Sequence, residues 1–140
     1  MTRLTHSEAE TSAVGRELAA SLSAGDVIVL AGDLGAGKTA FVRGLAEGLG
    51  IDPSAVSSPT FTLVQEYRGG RLLLRHIDLY RLTPREADDL GLEEMTLDGA
   101  VLAIEWPDRL PRPFEGAVRV TLVHGIGDTR TITVAATPAG

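Results

Sequence analysis

The 140-residue chain contains no cysteine. That excludes disulfides, thiolate zinc sites and cysteine nucleophiles together. Long apolar runs are missing as well, since none reaches the roughly 18 residues that a membrane span needs. The opening Met-Thr-Arg-Leu-Thr-His-Ser-Glu lacks the apolar segment of a signal peptide. A cytoplasmic location without membrane association is therefore expected. Basic charge is scarce: 13 lysines and arginines stand against 19 acids, for a net charge of −6. A protein that binds nucleic acid unaided normally presents a basic stripe, because counterion release supplies much of its affinity. The arginines here are scattered, so any RNA or DNA is expected to be held by a partner protein. The same charge also serves ordinary solubility. Repeats, low-complexity tracts and linkers are absent, which leaves one domain over 1–140, structured from about 7 to 135. A domain of this length can bury a core without covalent staples.

What is present falls into alternating helical and strand patterns. Ser7-Glu8-Ala9-Glu10 reads as a capping box, with the Ser7 hydroxyl accepting from the Glu10 amide and the Glu10 side chain returning to the Ser7 amide. Val14, Leu18 and Leu22 follow at spacing four, and Gly25 offers a left-handed stop, which predicts a helix over roughly 8–23. The apolar run Val27–Ala31 predicts a strand covered on both faces. Past a glycine-rich turn, Phe41, Val42, Leu45, Ala46 and Leu49 line one face of a second helix, which Gly50 ends. Residues 51–60 are polar, contain Pro53 and Pro59, and read as an exposed loop.

Two strands are expected at about 61–67 and 71–78, joined through Arg68-Gly69-Gly70-Arg71, with the glycine pair supplying positive φ angles. Thr83-Pro84-Arg85-Glu86 starts another helix with a second capping box, and Gly91 interrupts it. Ala100–Ile104 is a second fully apolar strand, and the proline-bearing region 107–116 reads as a surface connection. Alternation at Val118, Val120 and Leu122, and again at Ile132 and Val134, brackets Gly125 and Gly127 and predicts a terminal hairpin. Thr137–Gly140 reads as a frayed tail.

One motif decides the class. Gly32-Asp33-Leu34-Gly35-Ala36-Gly37-Lys38-Thr39 matches G-x-x-x-x-G-K-[ST] in full, between the buried strand and the amphipathic helix. Glycines let backbone amides approach a polyphosphate where a Cβ would clash. The following helix aims free amides and its positive dipole end at the phosphates. Lys38 reaches the β- and γ-phosphates, and the Thr39 hydroxyl is a hard oxygen ligand suited to magnesium. ATP with Mg2+ is the expected ligand pair.

Such a loop needs acidic partners to complete a metal site. Asp78 and Glu105 each close an apolar strand, and ligands of open α/β sheets bind beyond the carboxyl ends of strands. These two acids are the candidates, against the plainer reading of solvated strand-end carboxylates. Ser57-Ser58-Pro59-Thr60 reads either as a γ-phosphate sensor, with Thr60 binding the metal or orienting a water, or as a polar turn. Trp106, before Pro107, reads by position as a packing residue, and a lone strand histidine such as His76 reads as structural.

The blocks Gly32–Thr39, Ser58-Pro59-Thr60-Phe61-Thr62-Leu63-Val64, His76-Ile77-Asp78-Leu79-Tyr80-Arg81-Leu82 and Ile104-Glu105-Trp106-Pro107, in that order, resemble the TsaE (YjeE) family. This is the small ATPase of bacterial tRNA threonylcarbamoyladenosine biosynthesis, and the resemblance spans about residues 7–135. It implies a P-loop NTPase-like three-layer α/β/α fold with a mixed, mostly parallel central sheet and a C-terminal β-hairpin. An ATP site would lie between the P-loop and that hairpin. The resemblance implies that Asp33, Leu34, Gly35, Ala36, Gly37, Lys38, Thr39 and Ala40 hold the phosphates, that Thr39 and Glu105 hold magnesium, and that Asp78 takes the Walker B place. Lys38, Thr60, Asp78, Glu105 and Trp106 would form the catalytic set, with Ser58-Pro59-Thr60 as switch segment, Trp106 approaching the nucleotide, and Thr11 and Arg130 at the adenine end. The family usually carries a second hydroxyl after Lys-Thr, where this chain has Ala40. The backbone amide there still serves the α-phosphate, and the missing side-chain hydrogen bond is worth about 1 kcal/mol.

Function is implied likewise: slow ATP hydrolysis alone, activated by the two-protein threonylcarbamoyl-transfer complex of TsaB and TsaD type, with tRNA engaged indirectly through it. The modification falls on adenosine 37 of tRNAs that read codons beginning with A. A small-molecule P-loop kinase is the alternative, but it needs an acceptor pocket and usually an arginine-bearing lid, for which little chain remains. A GTP switch is disfavoured because no Asn-Lys-x-Asp motif occurs.

Overall fold

A computed structural model describes residues 1–33, 37–56 and 63–136. Seven strands occur among them: Thr2–Thr5 (β1), Val27–Ala31 (β2), Val64–Tyr67 (β3), Leu74–Asp78 (β4), Val101–Glu105 (β5), Val118–His124 (β6) and Arg130–Ala136 (β7). They form one mixed sheet in the order β1-β7-β6-β2-β5-β4-β3. The pairings at the centre, β6–β2, β2–β5 and β5–β4, are parallel, whereas those toward the edges are antiparallel. The two continuous apolar runs become the inner strands β2 and β5. Burial on both faces leaves no place for polar alternation there.

Helices Glu8–Ala19 (α1) and Lys38–Gly48 (α2) cover one face, over a core of Ile28, Leu30, Phe41, Leu45, Val101 and Leu122. Their crossing is closer than apolar periodicity alone indicates. A Cβ added to Gly44 would lie 1.8 Å from the Ser12 carbonyl oxygen, and one on Gly15 would lie 2.3 Å from that of Phe41. The Ser12 hydroxyl donates to the Ala40 carbonyl across the same seam at 2.9 Å. The opposite face buries Val27, Val29, Ile77, Leu102 and Ile104 under a thinner layer: the short helix Pro84–Asp88 (α3), 3-10 turns at Glu94–Thr96 and Pro107–Arg109, and connecting loops.

Several local expectations change. α1 ends at Ala19 instead of near 23: its last turn tightens to i→i+3 bonds from Ala20, Ser21 and Leu22, and Arg71 donates to the Ala19 carbonyl at 2.6 Å and the Leu22 carbonyl at 3.1 Å. The Ser7 hydroxyl caps Glu10 as expected, but the Glu10 carboxylate accepts from the His6 amide at 3.0 Å, not from that of Ser7. Of the glycine pair, Gly69 takes positive φ, while Gly70 serves close approach, since a Cβ there would lie 2.2 Å from the Leu49 carbonyl oxygen. Of the strands around it, β4 starts at Leu74, later than expected, and β3 is described from Val64, with residues 61 and 62 of the expected strand outside the described residues. β1, which alternation did not reveal, extends the order back to Thr2 by pairing with β7. No helix of the described residues is long and apolar enough to cross a membrane.

The parallel centre decides where a site can form. β2, β4, β5 and β6 all end at one edge of the sheet. The antiparallel partners place Arg130 opposite His124, and Thr5 opposite Arg130, at that same edge. α1 and α2 both begin there.

Candidate nucleotide site at the carboxyl edge of the sheet

A cavity of about 350 Å³ opens at this edge. Its walls include Thr11 from α1, Gly37, Lys38 and Thr39 from the start of α2, Glu105 from the end of β5, and Arg130 from the start of β7. Gly37 caps α2 at φ +97° with no side chain satisfying the first amides. An uncapped helix start directed into a cavity carries partial positive charge and free donors. Gly37 lies against Thr11 and Arg130, where an added Cβ would stand 3.4 Å from Thr11 Cγ2. Thr11 is held by the Thr5 hydroxyl at 2.8 Å, and Arg130 donates to the hairpin carbonyls of Gly127 and Thr129 at 3.2 and 3.0 Å.

Lys38 is buried, with its ammonium fully engaged by the protein. Nζ donates to the Gly32 carbonyl at 2.7 Å, lies 3.5 Å from Glu105 Oε1, and stands 4.2 Å from the centre of the Trp106 ring. Glu105 is buried too, and its other oxygen, Oε2, meets His76 Nε2 at 2.5 Å. Burial pushes the Glu105 carboxyl up. The hydrogen bond to His76 and the positive field of His76 and Lys38 outweigh it, so the group is held below its ordinary 4.5.

Asp78 pairs with Glu105 in the β4–β5 register. Its Oδ1 accepts from the Tyr80 amide at 2.9 Å. Burial raises its carboxyl above the ordinary 3.8, the Tyr80 amide opposes this, and the neighbouring Glu105 charge adds to the rise. Trp106 combines two roles. It packs against the second core, as its position suggests, and also closes over Lys38, with Tyr80 4.8 Å from its ring centre. Its backbone is left-handed at φ 62°, the single non-glycine of that kind among the described residues. Such a conformation costs roughly 1–2 kcal/mol.

Of the site residues read from the sequence, Thr11, Gly37, Lys38, Thr39, Ala40, Glu105 and Arg130 meet at one cavity. Asp78 and Trp106 stand beside Glu105 and Lys38 without being among the lining residues, and Asp33, which is exposed, is not among them either. Leu34, Gly35, Ala36 and Thr60, with the rest of the switch segment, lie outside the described residues. Ser7, Glu8, Arg43 and Asp128 also line the cavity and His76 stands behind it, and none of these was read as a site residue. Arg43 lines the cavity one helical turn after Thr39, a spacing that was available to read. His76 touches Glu105 although 29 residues separate them, and no local pattern signals that contact.

Among the described residues, no three histidine or acidic side chains group into a dedicated metal cage. Magnesium seldom uses one: it keeps waters and takes one or two carboxylates together with phosphate oxygens. A threonine hydroxyl and a carboxylate in one cavity, beside a lysine and an uncapped helix start, are a donor set of that kind.

Residues 5–132 match the model of a family described as threonylcarbamoyl adenosine biosynthesis protein TsaE. A protein of Bacillus subtilis strain 168 named tRNA threonylcarbamoyladenosine biosynthesis protein TsaE is 43% identical over 131 residues, covering 91% of this chain and 80% of its own length. One of the same name from Treponema pallidum strain Nichols is 42% identical over 134 residues, covering 94% and 98%. The crystal structure of Bacillus subtilis YdiB superposes with a TM-score of 0.77 at 36% identity, over 97% of this chain and 84% of that one.

Proposed function

The chain belongs to the TsaE family, and on that premise we propose that it is a magnesium-dependent ATPase supporting threonylcarbamoylation of adenosine 37 in tRNAs that read codons beginning with A. The observation that carries this reading is the meeting of Lys38, Thr39 and Glu105 in one cavity at the uncapped start of α2. An anion has donors and positive charge on one side there, and a cation has oxygen ligands on the other.

In this scheme the α2 amides and Lys38 bind the triphosphate, with Lys38 exchanging its contacts to Gly32, Glu105 and Trp106 for phosphate oxygens. Thr39 and Glu105 hold magnesium, with Asp78 acting directly or through water. The bound ion neutralises phosphate charge and polarises the phosphoryl group. Thr11 and Arg130 meet the adenine end. The resemblance alone assigns Thr60 and its neighbours the γ-phosphate sensor.

Hydrolysis is slow in the isolated protein and completed by docking on the two-protein threonylcarbamoyl-transfer complex, so that ATP turnover permits repeated cycles of that complex. The net charge of −6 supports indirect engagement of tRNA through those partners.

The test is ATP hydrolysis by the protein alone and after addition of that complex from the same organism. Strong stimulation, lost in Glu105→Ala, is the expected result. Confirmed ATP binding without stimulation by an active complex would remove the assigned role and direct the search to phosphate acceptors of a kinase.

A further inference from the structure

Glu105 is gripped from behind. His76 is fully buried on β4, where its register partner on β5 is Ala103, two residues before Glu105 on the same face of the sheet. The Glu105 side chain therefore meets the ring diagonally, Oε2 to Nε2 at 2.5 Å, while Oε1 is left toward Lys38 and the cavity. The other ring nitrogen, Nδ1, is buried without a hydrogen-bond partner among the described residues. A carboxylate oxygen only accepts, so the contact places a ring proton on Nε2. A buried polar residue with one of its two nitrogens unpartnered among the described residues is a poor choice for packing alone.

We propose that His76 is the positioning residue for Glu105: it fixes one carboxylate oxygen in the sheet so that the other faces the metal–nucleotide site in a single orientation. The inference rests on the metal role of Glu105 given above. Lys38 is the only other group within 4 Å that pairs with this carboxylate among the described residues, and in the scheme above it leaves for the phosphates. A glutamate at a strand end then has three side-chain torsions to restrain, and His76 is the partner that stays. Partners of this kind, one step behind a metal ligand, typically change metal affinity by about 10–100-fold when lost.

The test uses the full-length protein with Mn2+ and a non-hydrolysable ATP analogue, read by electron paramagnetic resonance. His76→Phe keeps ring volume but has no donor, whereas His76→Gln retains an N–H near the Nε2 position. His76→Phe is expected to bind the analogue in EDTA as the unmodified protein does, yet to hold Mn2+ about tenfold or more weakly, with affinity recovered in His76→Gln. Unchanged Mn2+ affinity in His76→Phe, or an equal loss in both variants, would overturn the proposal. Glu105→Gln in the same assay separates the two levels. If it too keeps full Mn2+ affinity, the metal role of Glu105 fails. If it loses affinity while His76→Phe does not, only the role of His76 fails. A measurement on the unsubstituted protein stands apart from any folding defect. Its nitrogen-15 spectrum should show a strongly downfield His76 Nε2 proton that shifts in Glu105→Gln, and a ring protonated at Nδ1 alone would refute the contact.

Discussion

Nζ of Lys38 lies 3.5 Å from Oε1 of Glu105, with both side chains buried. Lysine and glutamate thus neutralise each other in the cavity where, as proposed, one serves phosphate and the other metal. A buried pair of this kind is costly to break from one side, because the remaining charge keeps its desolvation penalty without its partner.

Lys38→Ala is accordingly expected to lose ATP binding and partner-stimulated hydrolysis together. Two charge-assisted phosphate contacts at about 1.5–3 kcal/mol each correspond to a loss of roughly 100-fold or more. Titration calorimetry checks the binding, and retained stimulated turnover in this variant would count against the scheme.

Glu105 has its carboxyl held below the ordinary 4.5, against burial, by His76 and Lys38. A depressed folded value contributes stability that is present above the unfolded value and lost as pH falls through the folded one. Relative to Glu105→Gln, the unmodified protein should therefore lose stability as pH drops below about 4.5. Urea melts of both proteins between neutral and strongly acid pH would show it, and parallel curves would contradict it.

Asp78 behaves in the opposite sense. Burial and the Glu105 charge raise its carboxyl, so ionising it in the folded protein costs stability as pH rises from the ordinary 3.8 through the folded value. Asp78→Asn retains an oxygen for the Tyr80 amide and removes the repulsion. It should melt higher than the unmodified protein at pH 7 without ligand while losing magnesium-dependent hydrolysis. A lower melting temperature would show that the carboxylate itself stabilises the fold.

Gly44→Ala sets two effects against each other. Helix propensity favours alanine by about 1 kcal/mol. The added Cβ, however, would lie 1.8 Å from the Ser12 carbonyl oxygen, and a backbone atom cannot swing away as a side chain can. Overpacking of this kind costs about 1–3 kcal/mol, so the steric effect should win. A melting temperature lower by about 5 °C is expected, since a kilocalorie shifts a domain of this size by several degrees. An unchanged or higher value would show that α1 and α2 separate freely.

The same residues show which parts of the fold are legible in order along the chain. Val27–Ala31 and Ala100–Ile104 read as buried strands because an element covered on both faces has few polar positions, and they become β2 and the body of β5. Thr83-Pro84-Arg85-Glu86 caps α3 with both reciprocal hydrogen bonds because the four residues need only each other. β1 was not legible: its four residues show no alternation, and only the edge of β7 makes them a strand. The end of α1 differs from the expected one as well: the chain tightens to i→i+3 bonds after Ala19, and Arg71, distant along the chain, adds its donors to the Ala19 and Leu22 carbonyls.

At the site, the residue types on which the proposed chemistry rests are legible along the chain. A glycine-rich turn before a lysine and a threonine, and acids closing two strands, are local choices of residue type that phosphate and magnesium require. Tertiary structure alone decided how those groups face one another. Parallel pairing of β4, β5 and β2 brings Asp78, Glu105 and the start of α2 to one edge, and the hairpin return brings Arg130 to meet Thr11. It also chose His76, because which side chain a carboxylate meets across a sheet depends on the register between two strands. Many long-range contacts set that register jointly, so no one segment of the chain encodes it.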